Sequence, residues 1–407
     1  MSDTVCGMSK ALLLFVSLAG QGHINPTLPL VEELVRRGHQ VDYATGPDHA
    51  AAVTGAGARW VELPPLQPFT PPPQIGPETL ASWLRHYFAA LRETYPVLRH
   101  RCVTGPVDAI CYDTTNWPAR VVARTLGIPA VQCIPHLASN ETYSLDEQVT
   151  AGLSGDHPAM AALRADCEAF SAEYSVPLDV ADTMSVAEEL NLVFVPREFQ
   201  PAADSFDGRF HFLGPSMGDR EQAESFEPRD PDAPLLFVSL GTVSLGRPEF
   251  YRTCIDAVAD GPWQVAMAIG EMDTAELGPL PSTVEARPRF PQLGVLRHAS
   301  AFVTHAGMNS VMEALHYGVG LVTFPQTPEQ AANAERLREL GLGEPMDADA
   351  LTAETLRAAI TRVASDPAVS ANLYGMREVI RRSGGARRGA EVIEEYLRQH
   401  HDHPATA

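Results

Sequence analysis

The stretch from Phe302 to Asn333, FVTHAGMNSVMEALHYGVGLVTFPQTPEQAAN, decides the fold of this chain. Phe302-Val303-Thr304 is a short β-prone run and Val319 to Phe324 is another. Between them, Ser310 to Tyr317 carries Val311, Met312 and Leu315 at the spacing of a buried helical stripe. The pattern reads strand, glycine-punctuated turn, helix and strand, then a polar loop opening another helix. His305, Gly307, Asn309 and Ser310 fall at a strand's carboxyl end and a helix's first turn, where an open parallel sheet places its ligand crevice. Backbone N–H groups and the positive end of the helix dipole converge there and favour an anion such as a diphosphate. Gly307 permits close backbone approach, and His305 and Ser310 add donors. Glu313, one turn on, is placed to accept hydrogen bonds from ribose hydroxyls. Glu329 and Gln330, after the next strand, are placed to grip the hydroxyls of a sugar.

H-A-G-x-N-S-x-x-E (305–313) followed by P-x-x-x-E-Q-x-x-N (325–333) resembles the donor-site signature of the UDP-glycosyltransferase superfamily, and within it the bacterial macrolide glycosyltransferase branch. The resemblance implies an α/β chain with the GT-B fold: two facing doubly wound, Rossmann-like domains with a cleft between them. It places the donor in the second domain and the acceptor in the first. An ordinary strand–turn–helix with a satisfied buried histidine would not require Ser310, Glu313, Glu329 and Gln330 together.

The totals agree with two domains. At 407 residues, the chain exceeds what one core usually supports. Its 45% apolar and 20% charged composition is that of an ordinary globular protein. A formal charge of -21 argues against nucleic acid and anionic membranes as partners. An anionic donor must therefore be held by local N–H groups and helix dipoles. The positive charge is almost all arginine, with lysine only at position 10, a mark of a GC-rich genome. Cysteines at 6, 102, 111, 133, 167 and 254 include no C-x-x-C pair and read as reduced thiols of a cytoplasmic protein. Ala11 to Leu18 runs straight into G-Q-G-H-I-N-P and reads as a first strand, not a signal peptide; no run reaches membrane-spanning length.

Taken in order, Ala11 to Ser17 is a buried parallel strand, Gly20 to Pro26 a turn, Thr27 to Arg37 a helix ended by Gly38, and Gln40 to Ala44 a second strand. Trp60 to Leu63, Ala109 to Tyr112, Ala130 to Cys133 and Asn191 to Val195 continue the series. The proline-dense Pro64 to Pro77 and the irregular Asn140 to Met184 interrupt it. A second α/β series opens at Leu235 to Thr242 and continues through Trp263 to Ala268. The expected organisation is an acceptor-binding domain (1–213), a linker (214–234), a donor-binding domain (235–385), and a C-terminal helix with a tail (386–407). The resemblance implies that this helix packs back on the first domain. It also makes the irregular parts the acceptor pocket, with Phe69, Trp83, Tyr87, Phe88 and Trp117 as candidate walls; core packing is the competing reading of each.

His23 follows the first strand and Asp113 follows the strand ending at Tyr112, so both open on the carboxyl edge of a parallel sheet, where they can meet. A histidine oriented by a buried carboxylate is a general base matched to neutral pH. G-H-x-N-P with the later aspartate resembles the family's catalytic pair, and that resemblance carries the roles to His23 and Asp113. It also assigns Gly241 and Thr242, within Ser239-Leu240-Gly241-Thr242, to the phosphates. Where the family carries tryptophan in W-x-P-Q to stack on the nucleobase, this chain has Arg289-Phe290-Pro291-Gln292. Arg289 and Phe290 are then the stacking candidates and Gln292 completes the donor set. Gly320 replaces a proline usual in the family, a change expected to matter little.

The expected activity is a metal-independent, inverting hexosyltransferase. It moves glucose from UDP-glucose, with no further cofactor, to a hydroxyl of a macrolide, other polyketide or flavonoid-like aglycone, as a monomer or homodimer. A TDP-deoxysugar transferase and a nucleotide-sugar epimerase are the alternatives, beside a catalytically inactive partner protein. Gly20-x-Gly22 with Asp42 as a ribose ligand would suit a nicotinamide or flavin fold, but Asn25 stands at the third glycine position. The D-x-D spellings at Asp230 to Asp232 and Asp347 to Asp349, and His400 to His403, read as solvated charge and tail.

Overall fold

A computed structural model describes residues 10–18, 20–65, 77–150, 157–184, 186–241, 248–347 and 350–402. The chain forms two compact units: Met1–Gly218 with Ser383–Ala407, and Asp219–Arg382. The division falls at Gly218, inside the segment read as a linker, and most of that segment belongs to the second unit.

In the first unit, strands β1 (Leu12–Val16), β2 (Gln40–Thr45), β3 (Arg59–Glu62), β4 (Ala109–Asp113), β5 (Ala130–Ile134), β6 (Leu190–Val193) and β7 (Phe210–Phe212) form one sheet. Their order is β3-β2-β1-β4-β5-β6-β7, and every pairing is parallel. Helices α1 (Gln21–Ile24), α2 (Leu28–Arg36), α3 (Ala50–Gly55), α4 (Pro77–Arg92), α5 (Tyr95–Thr104), α6 (Trp117–Leu126), α7 (Leu145–Thr150) and α8 (Pro158–Tyr174) make the connections. Successive strand residues enter opposite cores, as the two-residue period of a strand requires. Leu13, Phe15, Tyr43 and Cys111 pack with α2, while Leu14, Val16, Ile110 and Tyr112 pack with α4, α5, α6 and α8. The segment read as a simple turn from Gly20 to Pro26 contains the helical turn α1, begun at Gly20 and carrying His23.

In the second unit, β8 (Leu235–Ser239), β9 (Gln264–Ala268), β10 (Val284–Arg287), β11 (Ala299–Thr304), β12 (Gly320–Thr323) and β13 (Gly343–Pro345) pair in parallel. Their order is β10-β9-β8-β11-β12-β13. Its helices are α9 (Arg220–Ala223), α10 (Pro248–Val258), α11 (Gln292–Leu296), α12 (Met308–Tyr317), α13 (Pro328–Glu339), α14 (Ala353–Ser365) and α15 (Pro367–Ser383), the last ending at the start of the returning segment. A side chain at Gly320 would strike the Val363 backbone on α14 at 2.6 Å, so the glycine sets how closely β12 and α14 pack. That residue matters more than its sequence context suggested.

The closing helix α16 (Gly385–Asp402) lies in the first unit against α2. Ala390, Val392, Ile393 and Leu397 enter the core beside Leu30 and Leu34. Glu394 accepts from Arg37 Nη1 at 2.9 Å and pairs with the buried His39 at 3.2 Å. Burial of each large aliphatic side chain is worth about 2 kcal/mol, so the helix is part of this unit's core.

Both sheets share one topology around the sites of interest. In each, the first strand lies beside the fourth, and the chain turns outward to opposite sides from that pair. This is the switch point at which an open parallel sheet leaves a crevice beyond its carboxyl ends.

Candidate active site

At the switch point of the first sheet, His23 follows β1 and Asp113 ends β4. His23 Nδ1 lies 2.8 Å from Asp113 Oδ2. Asp113 is 1% exposed, whereas the His23 side chain keeps 26% of its surface. The other carboxylate oxygen, Oδ1, accepts from the Thr115 backbone N–H at 3.0 Å and the Thr115 hydroxyl at 2.6 Å. Burial alone would raise the Asp113 carboxyl; the charge and hydrogen bond of His23, with the two Thr115 donors, outweigh it and hold the group below the usual carboxylate range. A buried anion therefore faces one nitrogen of a part-exposed imidazole. Sequence reasoning gave Thr115 no role.

Two other rings adjoin the pair. His136, just past β5, meets the His23 ring edge-to-face with centroids 6.3 Å apart. Tyr87 on α4 is pushed up to about 12 by burial and then by the negative charge of Asp113. Trp83 packs edge-on against Tyr87 at 5.7 Å and hydrogen-bonds to it. Of the expected acceptor walls, Trp83 and Tyr87 thus stand together, with Tyr87 close enough to Asp113 to feel its charge. Phe88 and Trp117 are buried: they stack at 5.2 Å, 4% and 2% exposed, in the core with Phe170. Their apolar bulk closes the α4–α6 layer, which explains them without a ligand. Phe69 lies outside the described residues. Asp42, the ribose ligand of the nicotinamide reading, is buried and committed to Arg59 and Arg101.

The second sheet's switch point holds Gly241 after β8 and His305 after β11. The His305 ring is seated against both neighbouring glycines. A side chain at Gly241, whose φ is +79°, would meet ring atom Cε1 at 2.6 Å, and one at Gly307 would come closer still to Nε2. Burial pushes His305 down to about 4, opposed by a hydrogen bond to the Ser239 backbone, so the ring is neutral across the physiological range. Thr242 lies outside the described residues.

Between His305 and Gly307, Ala306 adopts a left-handed backbone with φ +64°, a conformation that costs a residue with a Cβ about 1 kcal/mol. Asn333 on α13 is fully buried, and its Nδ2 donates to the Ala306 carbonyl at 3.0 Å. The sequence motif contained Asn333 but suggested no function for it; the structure shows that it holds the turn. Gly307 then begins α12, whose first turn carries Asn309 and Ser310.

Glu313, Gln292 and Ser310 form one network. Gln292 Nε2 donates to Glu313 Oε2 at 2.6 Å and lies 3.2 Å from Ser310 Oγ. Arg220 Nη1 donates to Glu313 Oε1 at 3.0 Å. Burial raises the Glu313 carboxyl above its ordinary value, against the pull of Arg220 and Gln292. Arg220 belongs to α9, in the stretch read as featureless, and its i,i+4 partner Glu224 was the available sequence signal.

Phe290 is fixed by the Arg287 guanidinium 4.9 Å over its ring and by the edges of Phe226 and Phe237. Arg289 is exposed beside it. Glu329 and Gln330 occupy the first turn of α13, where Gln330 Oε1 accepts from the Gln326 N–H at 2.8 Å. Among the described residues, no group of three or more His, Cys, Asp or Glu side chains is arranged to hold a metal ion, and no helix is long and apolar enough to cross a membrane. Cys102, Cys111, Cys133, Cys167 and Cys254 are free thiols.

Comparison with known proteins places this architecture. Residues 252–384 match the family described as erythromycin biosynthesis protein CIII-like, C-terminal domain. The chain is 33% identical to the NDP-glycosyltransferase YjiC of Bacillus subtilis (strain 168) over 96% of its own length and 99% of that protein. It is 34% identical to the demethyllactenocin mycarosyltransferase of Streptomyces fradiae, covering 95% of this chain and 87% of the relative. The crystal structure of the kitacinnamycin glycosyltransferase superposes with a TM-score of 0.85 at 36% identity, covering 95% of this chain and 98% of that one. The chain belongs to the UDP-glycosyltransferase superfamily, in its macrolide glycosyltransferase-like branch, and has the GT-B fold.

Proposed function

We propose that the protein is an inverting O-glycosyltransferase. It moves a sugar, with glucose from UDP-glucose as the leading donor, to a hydroxyl of a hydrophobic small molecule such as a macrolide, other polyketide or flavonoid-like aglycone. The hydrogen bond between His23 Nδ1 and the buried Asp113 carries this reading. The carboxylate keeps the proton on Nδ1, makes Nε2 the basic nitrogen and stabilises the imidazolium that forms.

In the proposed reaction, the acceptor oxygen attacks the anomeric carbon and its proton passes to His23 Nε2. The bond from that carbon to the diphosphate oxygen breaks, and its electron pair leaves with the nucleoside diphosphate. Attack opposite the leaving group inverts the anomeric centre. The growing negative charge falls on the N–H groups that begin α12 at Gly307 to Ser310. It also favours protonation of the otherwise neutral His305, which then gains a second N–H. These donors supply the stabilisation that other transferases obtain from a divalent cation. Glu313, already aligned by Arg220 and Gln292, receives the ribose hydroxyls; Glu329 and Gln330 receive those of the sugar.

A TDP-sugar donor is the second reading, favoured by one observation: Arg289 stands exposed where the family's base-stacking tryptophan is expected. The name of the Streptomyces fradiae relative, a mycarosyltransferase, points the same way. The test is to incubate the enzyme with UDP-glucose and, separately, TDP-glucose against a panel of aglycones, following products by mass and anomeric configuration. Hexose addition that requires His23 supports the proposal. Donor turnover without any acceptor would replace it with an epimerase.

A further inference from the structure

The reaction as derived uses one imidazole of the first unit, yet two stand together. Cys133 of β5 pairs with Asp113 of β4, and the chain continues along the same sheet edge through Pro135 to His136. There the rings of His136 and His23 meet at 76°, with centroids 6.3 Å apart. Pro135 and Leu137 are buried on either side, while His136 itself is half-buried. His136 Nδ1 lies 2.9 Å from the Leu137 carbonyl oxygen, so this nitrogen carries the proton and donates. Nε2 is then an acceptor. A histidine serving only to tie elements together would spend its ring nitrogens on distant partners; His136 Nδ1 instead bonds to the next residue along the chain.

The pair therefore presents two imidazoles whose Nδ1 protons are fixed, one by Asp113 and one by Leu137. In both, Nε2 is the basic nitrogen. Neighbouring hydroxyl oxygens of a diol lie about 2.8 Å apart and each hydrogen bond to nitrogen spans about 2.8 Å, so a diol can bridge nitrogens up to about 8 Å apart. The ring centroids lie 6.3 Å apart, a separation on that scale.

We propose that His136 contacts the acceptor directly and selects molecules bearing two neighbouring hydroxyls, a vicinal diol or an ortho-dihydroxy aromatic ring. This rests on the glycosyltransferase reading and names its acceptor class. One hydroxyl gives its proton to His23 and takes the sugar. The other donates a hydrogen bond to His136 Nε2, keeps its proton and remains free in the product, so the product is a single monoglycoside of the diol.

The test uses the full-length enzyme and the aglycone frame that accepts sugar best in the panel above, prepared with one hydroxyl, an ortho pair or a meta pair. The wild type is expected to favour the ortho pair over the single hydroxyl by about tenfold in kcat/KM, the worth of one hydrogen bond. His136→Phe keeps a ring edge against His23 but lacks the acceptor nitrogen; it should abolish that preference, bringing the ratio of kcat/KM for the ortho pair to that for the single hydroxyl down to about one. His136→Gln, which restores an acceptor oxygen, should recover part of it. Melting temperatures of both variants report folding. Equal use of all three acceptors by the wild type overturns the inference while the glycosyltransferase reading stands. So does an equal loss on all three in a folded His136→Phe, which would show that the ring merely supports His23. If no aglycone takes sugar from the wild type, the proposed function itself fails, and this inference with it.

Discussion

The two units hold a histidine at the same topological place, past the carboxyl end of a strand at the switch point, and give it opposite electrostatics. His23 is part-exposed and faces a buried carboxylate across a short hydrogen bond. His305 is buried against two glycines with a backbone hydrogen bond, and desolvation drives it to the neutral form. The first arrangement suits a group that must take up a proton and the second a group that should stay uncharged until an anion arrives. Shared topology thus fixes where a ligand can approach, whereas the neighbours of each ring fix what it can do.

The largest effect that would break this contrast is on the chemistry at His23. His23→Ala should lower kcat by about 10³-fold, within the range of general-base catalysis; steady-state transfer kinetics check it, with far-UV circular dichroism reporting that the variant remains folded. Activity near wild type would remove the base from the mechanism.

Next in size is a pH dependence belonging to His305. Its folded value of about 4 lies below the ordinary 6.5, so between those values the unfolded chain binds more protons than the folded one. Stability is complete above the ordinary imidazole value and is lost as pH falls through the window toward 4, by up to about 3 kcal/mol. Denaturant unfolding of the unliganded protein should show this slope, and His305→Gln should flatten it.

Asn333→Leu should cost about 2 kcal/mol, because a buried carbonyl at Ala306 loses its donor. Adding Ala306→Gly should return about 1 kcal/mol by relieving the left-handed strain. Thermal unfolding of the single and double variants measures both. Smaller still, Gly307→Ala should push against the His305 ring and raise the donor KM by about tenfold, leaving the acceptor KM in place. Equal changes in both KM values would mean that the ring is not part of the donor site.

Legibility from sequence followed burial. The central strands β1, β4 and β8 each carry four or five consecutive apolar residues, β11 carries the β-prone Phe302-Val303-Thr304, and each was readable. Three of the four edge strands were not: β7 is only Phe210–Phe212, β10 reads Val-Glu-Ala-Arg, and β13 is Gly-Glu-Pro. Short, charged or proline-bearing segments pair because a sheet edge is present, a tertiary cause that no local pattern carries. At the site, the residues in the Phe302–Asn333 stretch were legible because their spacing is set by one strand and one helix. His23 and Asp113 were legible because parallel topology brings strand ends together. His136 and Arg220 were not, since each acquires meaning only through a partner distant in sequence, His23 and Glu313 respectively. Phe88 and Trp117 illustrate the converse, aromatic side chains whose helical spacing serves the core equally well.

The return of α16 to the first unit has a consequence for biosynthesis. A ribosome releases residues 1–218 before residues 219–382, yet the hydrophobic layer over Leu30 and Leu34 lacks Ile393 and Leu397 until those later residues have been made. The unit that begins to emerge before the other is consequently sealed after it, and it must wait, with an apolar stripe on α2 uncovered, while the other unit is made. Chains stalled or cleaved before residue 385 would expose that stripe to chaperones and proteases, an inbuilt signal of incomplete synthesis.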